Sequence, residues 1–235
     1  MSSTRGEMIY LYQMFYQQYS RLQFSKVEDR PFAIAGLEKR LLQGFATRGG
    51  YGVFDDGKGL LHRSLLWCRS LGGTLGRIKF PVEKKIFVPT WSWMAYEGGI
   101  DYLAPEWNKT EWEQQDLRSP WSADSPVQYT TDKNSTISLE ASARDFDEAK
   151  AVKEHITLYF DMPDKADGRT PGLKCVILAR PKTGSTTKDR MCYVLLVAPQ
   201  VTKRFGGSTV FERVGVGKMP ESCVSQLDKI EVKLQ

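Results

Sequence analysis

Few side chains in this sequence suit nucleophilic or metal chemistry. There are two histidines, His62 and His155, and neither lies in a motif that places a base beside a serine or cysteine nucleophile. Such hydrolases need the nucleophile and the base within hydrogen-bond reach. The cysteines are widely spaced and form no Cys-x-x-Cys pair, as a zinc site would require: Cys68, Cys175, Cys192 and Cys223. We therefore expect no hydrolytic triad, no metal site, and buried free thiols.

Two glycine-rich segments resemble nucleotide-binding loops only in composition. In TRGGYGVFDDGKG, residues 47–59, Lys58 is followed by Gly59, whereas a phosphate-binding loop needs Ser or Thr there to hold the metal ion. The GGTLG segment at 72–76 follows a helix-like stretch, whereas a dinucleotide-binding turn follows a strand. We expect no cofactor, and we interpret residues 47–59 as a loop or a short hairpin.

Acidic residues between positions 101 and 116 could supply the carboxylate pair that glycosidases use. They are Asp101, Glu106, Glu111, Glu113 and Asp116. A loop rich in acids is more often a solvated surface than a catalytic pair. The sequence therefore assigns no catalytic residue.

The tryptophans are the most distinctive feature of the sequence, since five of the six fall between Trp91 and Trp121. In a strand, Trp91 and Trp93 would share one face and Ser92 would point to the other. Such a face could pack the sheet against the N-terminal helices, or it could wall an apolar pocket. The predicted substrate-binding residues are Trp67, Trp91, Trp93, Tyr96 and Tyr102.

The composition is that of an ordinary globular protein. The chain has 235 residues, 41% of them hydrophobic and 26% charged, which argues against collagen, coiled coil and wholesale disorder. The net charge is +5 and the basic residues are spread along the chain, so we expect no nucleic-acid partner. The start, MSSTRGEMIY, has no apolar run, and the longest apolar stretch, at 194–199, is far below the roughly 20 residues of a membrane span. We expect a cytoplasmic protein with no membrane span.

Helical periodicity marks the N-terminal part. Apolar positions between Met8 and Tyr19 recur at three- and four-residue steps, which predicts one helix. A second helix is predicted to begin at Asp29, with Pro31 in its first turn, and to end at Gly44. The segment Leu60–Leu71 returns to helical spacing.

From about residue 80 the pattern changes to short strands separated by turn residues. The candidate strands are Lys84–Val88, Ser92–Tyr96, Gly99–Leu103, Thr136–Ala141, Ile156–Phe160, Lys174–Ala179, Met191–Val197, Val210–Val216 and Lys229–Leu234. The polar, proline-containing stretch at about 104–134 is predicted to be a long excursion over the sheet. We predict one α+β domain over residues 1–235, in which a helical part (1–75) packs on an antiparallel barrel or sandwich-like sheet (80–235).

Four blocks of the sequence resemble fungal heterokaryon incompatibility (HET) proteins. They are YSRLQFSKVEDRPFAIAGLEKRL (19–41), GLLHRSLLW (59–67), VPTWSWMAYEG (88–98) and FERVGVG (211–217). The resemblance covers about residues 10–219 and is to the C-terminal region of those proteins. The N-terminal HET domain itself, with its Tyr-Cys-Trp-Gly motif, has no counterpart in this sequence. The sequence is then either a fragment of a longer protein or a C-terminal module that acts alone, and we expect the second. The effector activity of the HET domain is not implied.

Two functional hypotheses remain. In the first, the protein binds a hydrophobic polycyclic or polyene intermediate of fungal specialised metabolism, and it could catalyse cyclisation or isomerisation without a cofactor, as a pericyclase does. In the second, it is a non-enzymatic recognition or regulatory module that contacts a protein partner. Solvent-exposed Trp91 and Trp93 would favour the second, and a closed cavity beside them would favour the first. The small-molecule hypothesis is our expectation, because the sequence shows no repeat, basic arm or coiled coil with which to bind a protein.

Overall fold

Helices occupy the N-terminal part of the chain and strands dominate the rest, which confirms the predicted α+β class. The structure is a computed structural model that describes residues 4–81, 83, 87–106, 109–121, 137–153, 156–162, 170–182, 190–205 and 208–235. Within this part of the chain no helix is both long enough and apolar enough to cross a membrane.

Helix α1 spans Arg5–Ser20 and starts with a capping box. The Glu7 amide donates to Thr4 Oγ1 at 3.3 Å, and the Thr4 amide donates to Glu7 Oε2 at 2.7 Å. These two bonds satisfy amides that the first turn of a helix would otherwise leave without partners. The residues that the helix buries recur at the predicted spacing: Ile9, Tyr12, Tyr16 and Ser20.

Helix α2 spans Arg30–Gly44 and begins where the sequence predicts. Asp29 is its N-cap and Pro31 lies in its first turn, where the missing amide hydrogen costs nothing. A 3-10 turn at Val27–Asp29 leads into it.

The Arg30 side chain joins the two helices to the segment that follows Trp93. Its guanidinium is buried and donates to the carbonyls of Tyr96 at 2.9 Å, Ser20 at 2.8 Å and Gly98 at 3.2 Å. It also lies 5.2 Å from the centroid of the Trp93 ring. Burial lowers the pKa of Arg30 to about 10, so it remains charged at neutral pH.

The glycine-rich segment at 47–59 contains a short hairpin, one of the two predicted possibilities. Strand β1 (Arg48–Gly50) pairs with β2 (Val53–Asp55) through a turn at Tyr51 and Gly52, both with positive φ. Gly52 is required there, because a Cβ atom would lie 2.2 Å from Nε1 of Trp93.

The prediction of a helix over Leu60–Leu71 is only partly correct. Helix α3 spans Leu60–Ser64, and the chain then becomes extended, with Trp67–Arg69 pairing antiparallel to Ile100–Tyr102. Pairing with a distant strand therefore overrides the local helical pattern. The short strands of this region are β3 (Trp67–Arg69), β4 (Gly76–Arg77), β5 (Tyr96–Glu97) and β6 (Ile100–Tyr102).

The predicted strand Ser92–Tyr96 is wrong for most of its length. Trp93–Ala95 form a 3-10 turn, whose start is fixed by the Met94 amide donating to Ser92 Oγ at 3.1 Å. The alternation argument for the two tryptophans therefore fails, since period two holds only in extended chain. Of the predicted strand Lys84–Val88, residues 84–86 lie outside the described residues, and 87–88 are not in a strand.

The remaining strands form an eight-stranded sheet that closes on itself. They are β7 (Thr110–Trp112), β8 (Leu117–Arg118), β9 (Leu139–Phe146), β10 (Thr157–Phe160), β11 (Lys174–Pro181), β12 (Met191–Phe205), β13 (Ser208–Pro220) and β14 (Val224–Leu234), with helix α4 (Glu148–Lys153) between β9 and β10. The pairings run β9–β11–β12–β13–β14 and back to β9, which makes a five-stranded ring. All are antiparallel except β13–β14, so the sheet is mixed rather than purely antiparallel.

Part of the predicted excursion belongs to this sheet. Strand β7 pairs with β11 and β8 pairs with β9, both at edges of the ring. Residues 107–108 and 122–134 of the excursion lie outside the described residues.

Both faces of the central strands are buried. One face of β11 and β12 packs in a core that also contains Tyr12, Ile34 and the buried tryptophans. The opposite face forms a second cluster that contains three of the cysteines, Cys175, Cys192 and Cys223. All four cysteines are buried free thiols, as expected, and burial raises the pKa of Cys175 and Cys192 to about 12.

Glu38 of α2 is a buried carboxyl beneath the β1–β2 hairpin. It is completely shielded from solvent, and its Oε1 accepts from the Gly52 amide at 2.5 Å. Burial raises the pKa of Glu38 to about 7, and the hydrogen bonds from the hairpin backbone oppose this shift. The native protein therefore holds a proton at Glu38 more tightly than the unfolded chain does.

We predict that Glu38 lowers the free energy of unfolding as the pH rises from 5 to 8, because the unfolded chain loses this proton near pH 4.5 and the native protein only near pH 7. This contribution is on the order of 2 to 3 kcal/mol over that range. His62 acts in the opposite direction, since burial lowers its pKa, so the effect of Glu38 is the difference between the wild-type protein and Glu38→Gln. Glu38→Gln keeps an acceptor for Gly52 and should lose the downward contribution to the slope, as measured by urea unfolding at several pH values. The control is Glu148→Gln, on the exposed face of α4, which should leave the pH dependence of the free energy of unfolding unchanged. If Glu38→Gln showed the same pH dependence as the wild-type protein, the raised pKa of Glu38 would be contradicted.

Candidate functional site

The predicted aromatic residues lie in the core. Trp67, Trp91 and Trp93 have no exposed surface, Tyr96 is 3% exposed, and Tyr102 is partly buried. The two tryptophans of the WSW motif do not share a face. Trp93 packs on α1, with its ring 5.1 Å from that of Tyr16, whereas Trp91 stands edge-on to Tyr51 and Trp121 at about 6 Å.

A buried arginine, Arg213 on β13, lies at the centre of the molecule. Its Nε and Nη2 donate to the two carboxylate oxygens of Asp161 at 2.9 and 3.2 Å, and its Nη1 donates to the Leu65 carbonyl at 2.8 Å. Nη2 also donates to the Trp67 carbonyl, and the guanidinium lies flat on the Trp67 ring, 3.2 Å from its centroid. Four of the five N–H groups that an arginine carries are thus engaged.

The backbone around this pair is fixed as well. The Arg213 amide donates to Thr90 Oγ1 at 3.1 Å, and the Thr90 hydroxyl donates to the carbonyl of Gln235. The Asp161 amide donates to the Val214 carbonyl at 2.9 Å. Burial raises the pKa of the Asp161 carboxyl above its ordinary value, and the charge of Arg213 opposes that shift.

Beside this ion pair lies a cleft of about 340 Å³, which we call the Arg213 cleft. Its walls come from β4, β5, the end of β10, β12 and β13. They consist of Arg77, Thr90, Tyr96, Asp161, Met162, Pro199, Gln200, Glu212, Arg213 and Val214. The lining is therefore mixed, since it combines two arginines and two carboxyl residues with apolar side chains.

Two side chains of the cleft remain able to serve a ligand. Arg77 is exposed at the rim, with its guanidinium 5.1 Å from the centroid of the Tyr96 ring. Burial raises the pKa of Tyr96, so its hydroxyl stays protonated and can donate a hydrogen bond. The cleft thus combines a fixed ion pair with a cation and a hydroxyl donor at its wall.

Of the predicted substrate-binding residues, Tyr96 alone lines this cleft. Trp67 does not line the cleft, but its ring and its carbonyl contact Arg213, which does. Neither Trp91, Trp93 nor Tyr102 lines the cleft or the two other cavities described, at strand β7 and along β14. The expectation of an apolar cavity walled by tryptophan rings is not met by these cavities, and the buried rings instead hold helices and sheet together.

Sequence reasoning missed Arg77, Thr90, Asp161 and Arg213. Two of them stand in the blocks quoted above, Thr90 in VPTWSWMAYEG and Arg213 in FERVGVG. The block GLLHRSLLW supplies Trp67, and the block at 19–41 supplies Arg30. Residues of the four blocks contact one another around Arg213 and around Arg30. Membership in a block was the available signal for Thr90 and Arg213, and no pattern in the sequence set Arg77 or Asp161 apart.

His62 is bound to the backbone through one of its ring nitrogens. Its Nε2–H donates to the Glu113 carbonyl at 2.7 Å, and burial lowers its pKa, so it is neutral. His155 lies outside the described residues. Within the described ranges no group of three His, Cys, Asp or Glu side chains could hold a metal ion.

No family model, curated protein or solved structure matches this chain. The resemblance to HET proteins therefore stays a prediction from the quoted motifs, and function must be argued from the site itself.

We predict that the tryptophans differ in their contribution to stability. Trp67 Nε1 donates to the Trp91 carbonyl at 3.0 Å, whereas Nε1 of Trp91 and of Trp93 has no partner among the described atoms. Trp91→Phe and Trp93→Phe should therefore cost roughly 1 to 2 kcal/mol, and Trp67→Phe more, since it also loses this bond and the contact with Arg213. Urea unfolding followed by circular dichroism measures this order, and the reverse order would contradict it.

A second prediction concerns the buried ion pair. Arg213→Met should cost about 3 to 5 kcal/mol, because it leaves Asp161 buried without its cation. Adding Asp161→Asn to that variant should restore part of the loss, since no buried charge then remains. The control is Arg118→Met, which breaks an exposed ion pair with Glu140 and should cost less than about 1 kcal/mol in the same unfolding measurement. Equal losses in the Arg213 and Arg118 variants would show that burial of the pair does not matter.

Proposed function

We propose that this protein binds a small polar molecule in the Arg213 cleft. The observation that carries the proposal is the buried Arg213–Asp161 pair forming one wall of an open cavity. Because both carboxylate oxygens of Asp161 and four N–H groups of Arg213 are engaged within the protein, the pair gives the cleft a fixed wall of defined charge.

The chemistry of the cleft selects the ligand. Arg77 and the Tyr96 hydroxyl favour an anionic or strongly accepting group, and the negative charge of Glu212 in the wall favours a hydroxyl or ammonium group on the same ligand. The cavity has room for a compact metabolite. We therefore propose a ligand that carries both kinds of group, such as an amino acid or a hydroxy acid, in place of the hydrophobic intermediate expected from the sequence.

We keep a cofactor-independent isomerisation as part of the proposal, with Tyr96 as the hydrogen-bond donor and Arg77 as the group that stabilises negative charge developing on the substrate. Asp161 is not assigned as the base, because both of its carboxylate oxygens accept from Arg213 and its side chain is only 2% exposed.

The alternative of a protein-recognition module finds less support. It expects Trp91 and Trp93 at the surface, and both are completely buried. The relation to fungal HET proteins, and with it a place in fungal specialised metabolism, remains a proposal that rests on the four blocks.

Saturation-transfer NMR with a panel of amino acids, hydroxy acids and apolar polycyclic aromatics tests the proposal. We expect binding from the first two classes, with Arg77→Gln weakening it about 10- to 100-fold through loss of a charge-assisted hydrogen bond. Arg118→Gln changes the same charge in the cavity along β14 and should have little effect.

Tyr96→Phe should weaken binding while the protein still unfolds cooperatively. Preferential binding of the apolar compounds, unaffected by Arg77→Gln, would overturn the polar ligand in favour of the hydrophobic one. Absence of binding from every class would overturn the function itself.

A further inference from the structure

A second cleft, of about 280 Å³, lies where α1 and α3 meet strand β7. We call it the basic cleft. Its walls consist of Arg5, Ile9, Lys58, Gly59, Leu60, Arg63, Glu106, Thr110, Trp112 and Lys182. Four of these side chains are cationic and one is acidic, which is a far more one-sided charge than that of the Arg213 cleft.

Arg63 is the buried cation of this cleft. It is 6% exposed, and its guanidinium lies over the Trp112 ring, 5.0 Å from the centroid. Burial lowers the pKa of Arg63, and the neighbouring Arg5 lowers it further, while Tyr12 raises it. A second positive charge therefore stands close to a cation that is already largely removed from water.

The carboxylates near the basic cleft are already engaged with cations. Glu106 pairs with Lys109 at 2.6 Å, and Asp56 pairs with Arg5 at 2.5 Å. Lys58 and Lys182 are exposed at the rim. The cleft therefore keeps an excess of positive charge after these pairs are formed.

The wall that carries Arg63 is closely packed. The Trp112 indole lies against the backbone of Gly59, where a Cβ atom would be 2.1 Å from Trp112 Cδ1. Gly59 also has a φ of +95°, which a side chain would oppose. The cationic side chains thus line a cavity that already exists in the absence of a ligand. An anion could therefore enter without rearrangement of the backbone.

We propose that the basic cleft binds a phosphate-class oxyanion, either free or as the phosphoryl group of a small metabolite. Arginine and lysine placed around one cavity match an anion with several oxygens and more than one negative charge. The cations surround one small cleft and not the extended basic face that a nucleic-acid backbone needs, so the proposal is a single oxyanion. This site is separate from the Arg213 cleft and does not depend on the function proposed there.

Isothermal titration with inorganic pyrophosphate, at constant ionic strength, tests the site. We expect saturable binding that weakens as NaCl is raised. The double variant Lys58→Gln/Lys182→Gln changes only exposed side chains and should weaken binding at least about tenfold, since each charged contact is lost. The matched control is Lys39→Gln/Arg40→Gln, on the exposed side of α2, which should change the affinity less than about twofold.

Glucose 6-phosphate, compared with inorganic phosphate, distinguishes the two sources. Tighter binding of the sugar phosphate identifies a phosphorylated metabolite, and equal or weaker binding identifies the free anion. Arg63→Gln should abolish binding of either, and if that variant fails to fold, the lysine variant still decides. Equal weakening by the control pair, tighter binding of malonate than of pyrophosphate, or no saturation up to about 10 mM would each overturn the proposal.

Discussion

The guanidinium of Arg213 is the group on which the arrangement of the molecule depends. It binds Asp161 at the end of β10 and the carbonyls of Leu65 and Trp67 before and within β3. A buried charge tolerates few alternative positions, because each displacement leaves it without its hydrogen-bond partners in a medium of low dielectric constant. The pair thereby fixes how the N-terminal part packs on the sheet. Arg30, another buried arginine that donates to backbone carbonyls, fixes α2 against the end of α1 in the same way.

Sequence periodicity predicted the parts of the fold that local burial decides. Helices α1 and α2 and most strands after residue 139 follow directly from the spacing of apolar residues. Periodicity gave the wrong backbone at Leu65–Arg69, where pairing with a distant strand makes the chain extended. It also gave the wrong backbone at Trp91–Ala95, where the Ser92 hydroxyl fixes the start of a 3-10 turn. Alternation along a segment is evidence for a strand only if that segment finds a pairing partner, and a single sequence does not show the partner.

The site was less predictable than the fold. Tyr96 was found because aromatic concentration is visible in one segment, but Asp161 and Arg213 are 52 positions apart and look like ordinary surface charges in the sequence. In FERVGVG, Arg213 occupies the position of a polar residue on an alternating strand, yet both faces of this strand are covered. Only the closed sheet shows that this side chain points into the core, where Asp161 and Trp67 receive it.

Closure of the sheet into a ring limits the strand edges through which two copies of the chain could pair. The strands β9, β11, β12, β13 and β14 each have a neighbour on both sides over part of their length, whereas the outer positions belong to β7, β8 and β10, which are two to four residues long. Long unpaired strand edges are templates for aggregation, and short ones are poor templates. Among the described residues, the outer positions of the sheet therefore offer poor templates for a second copy, whereas opening of the ring would expose the long edges of its apolar strands.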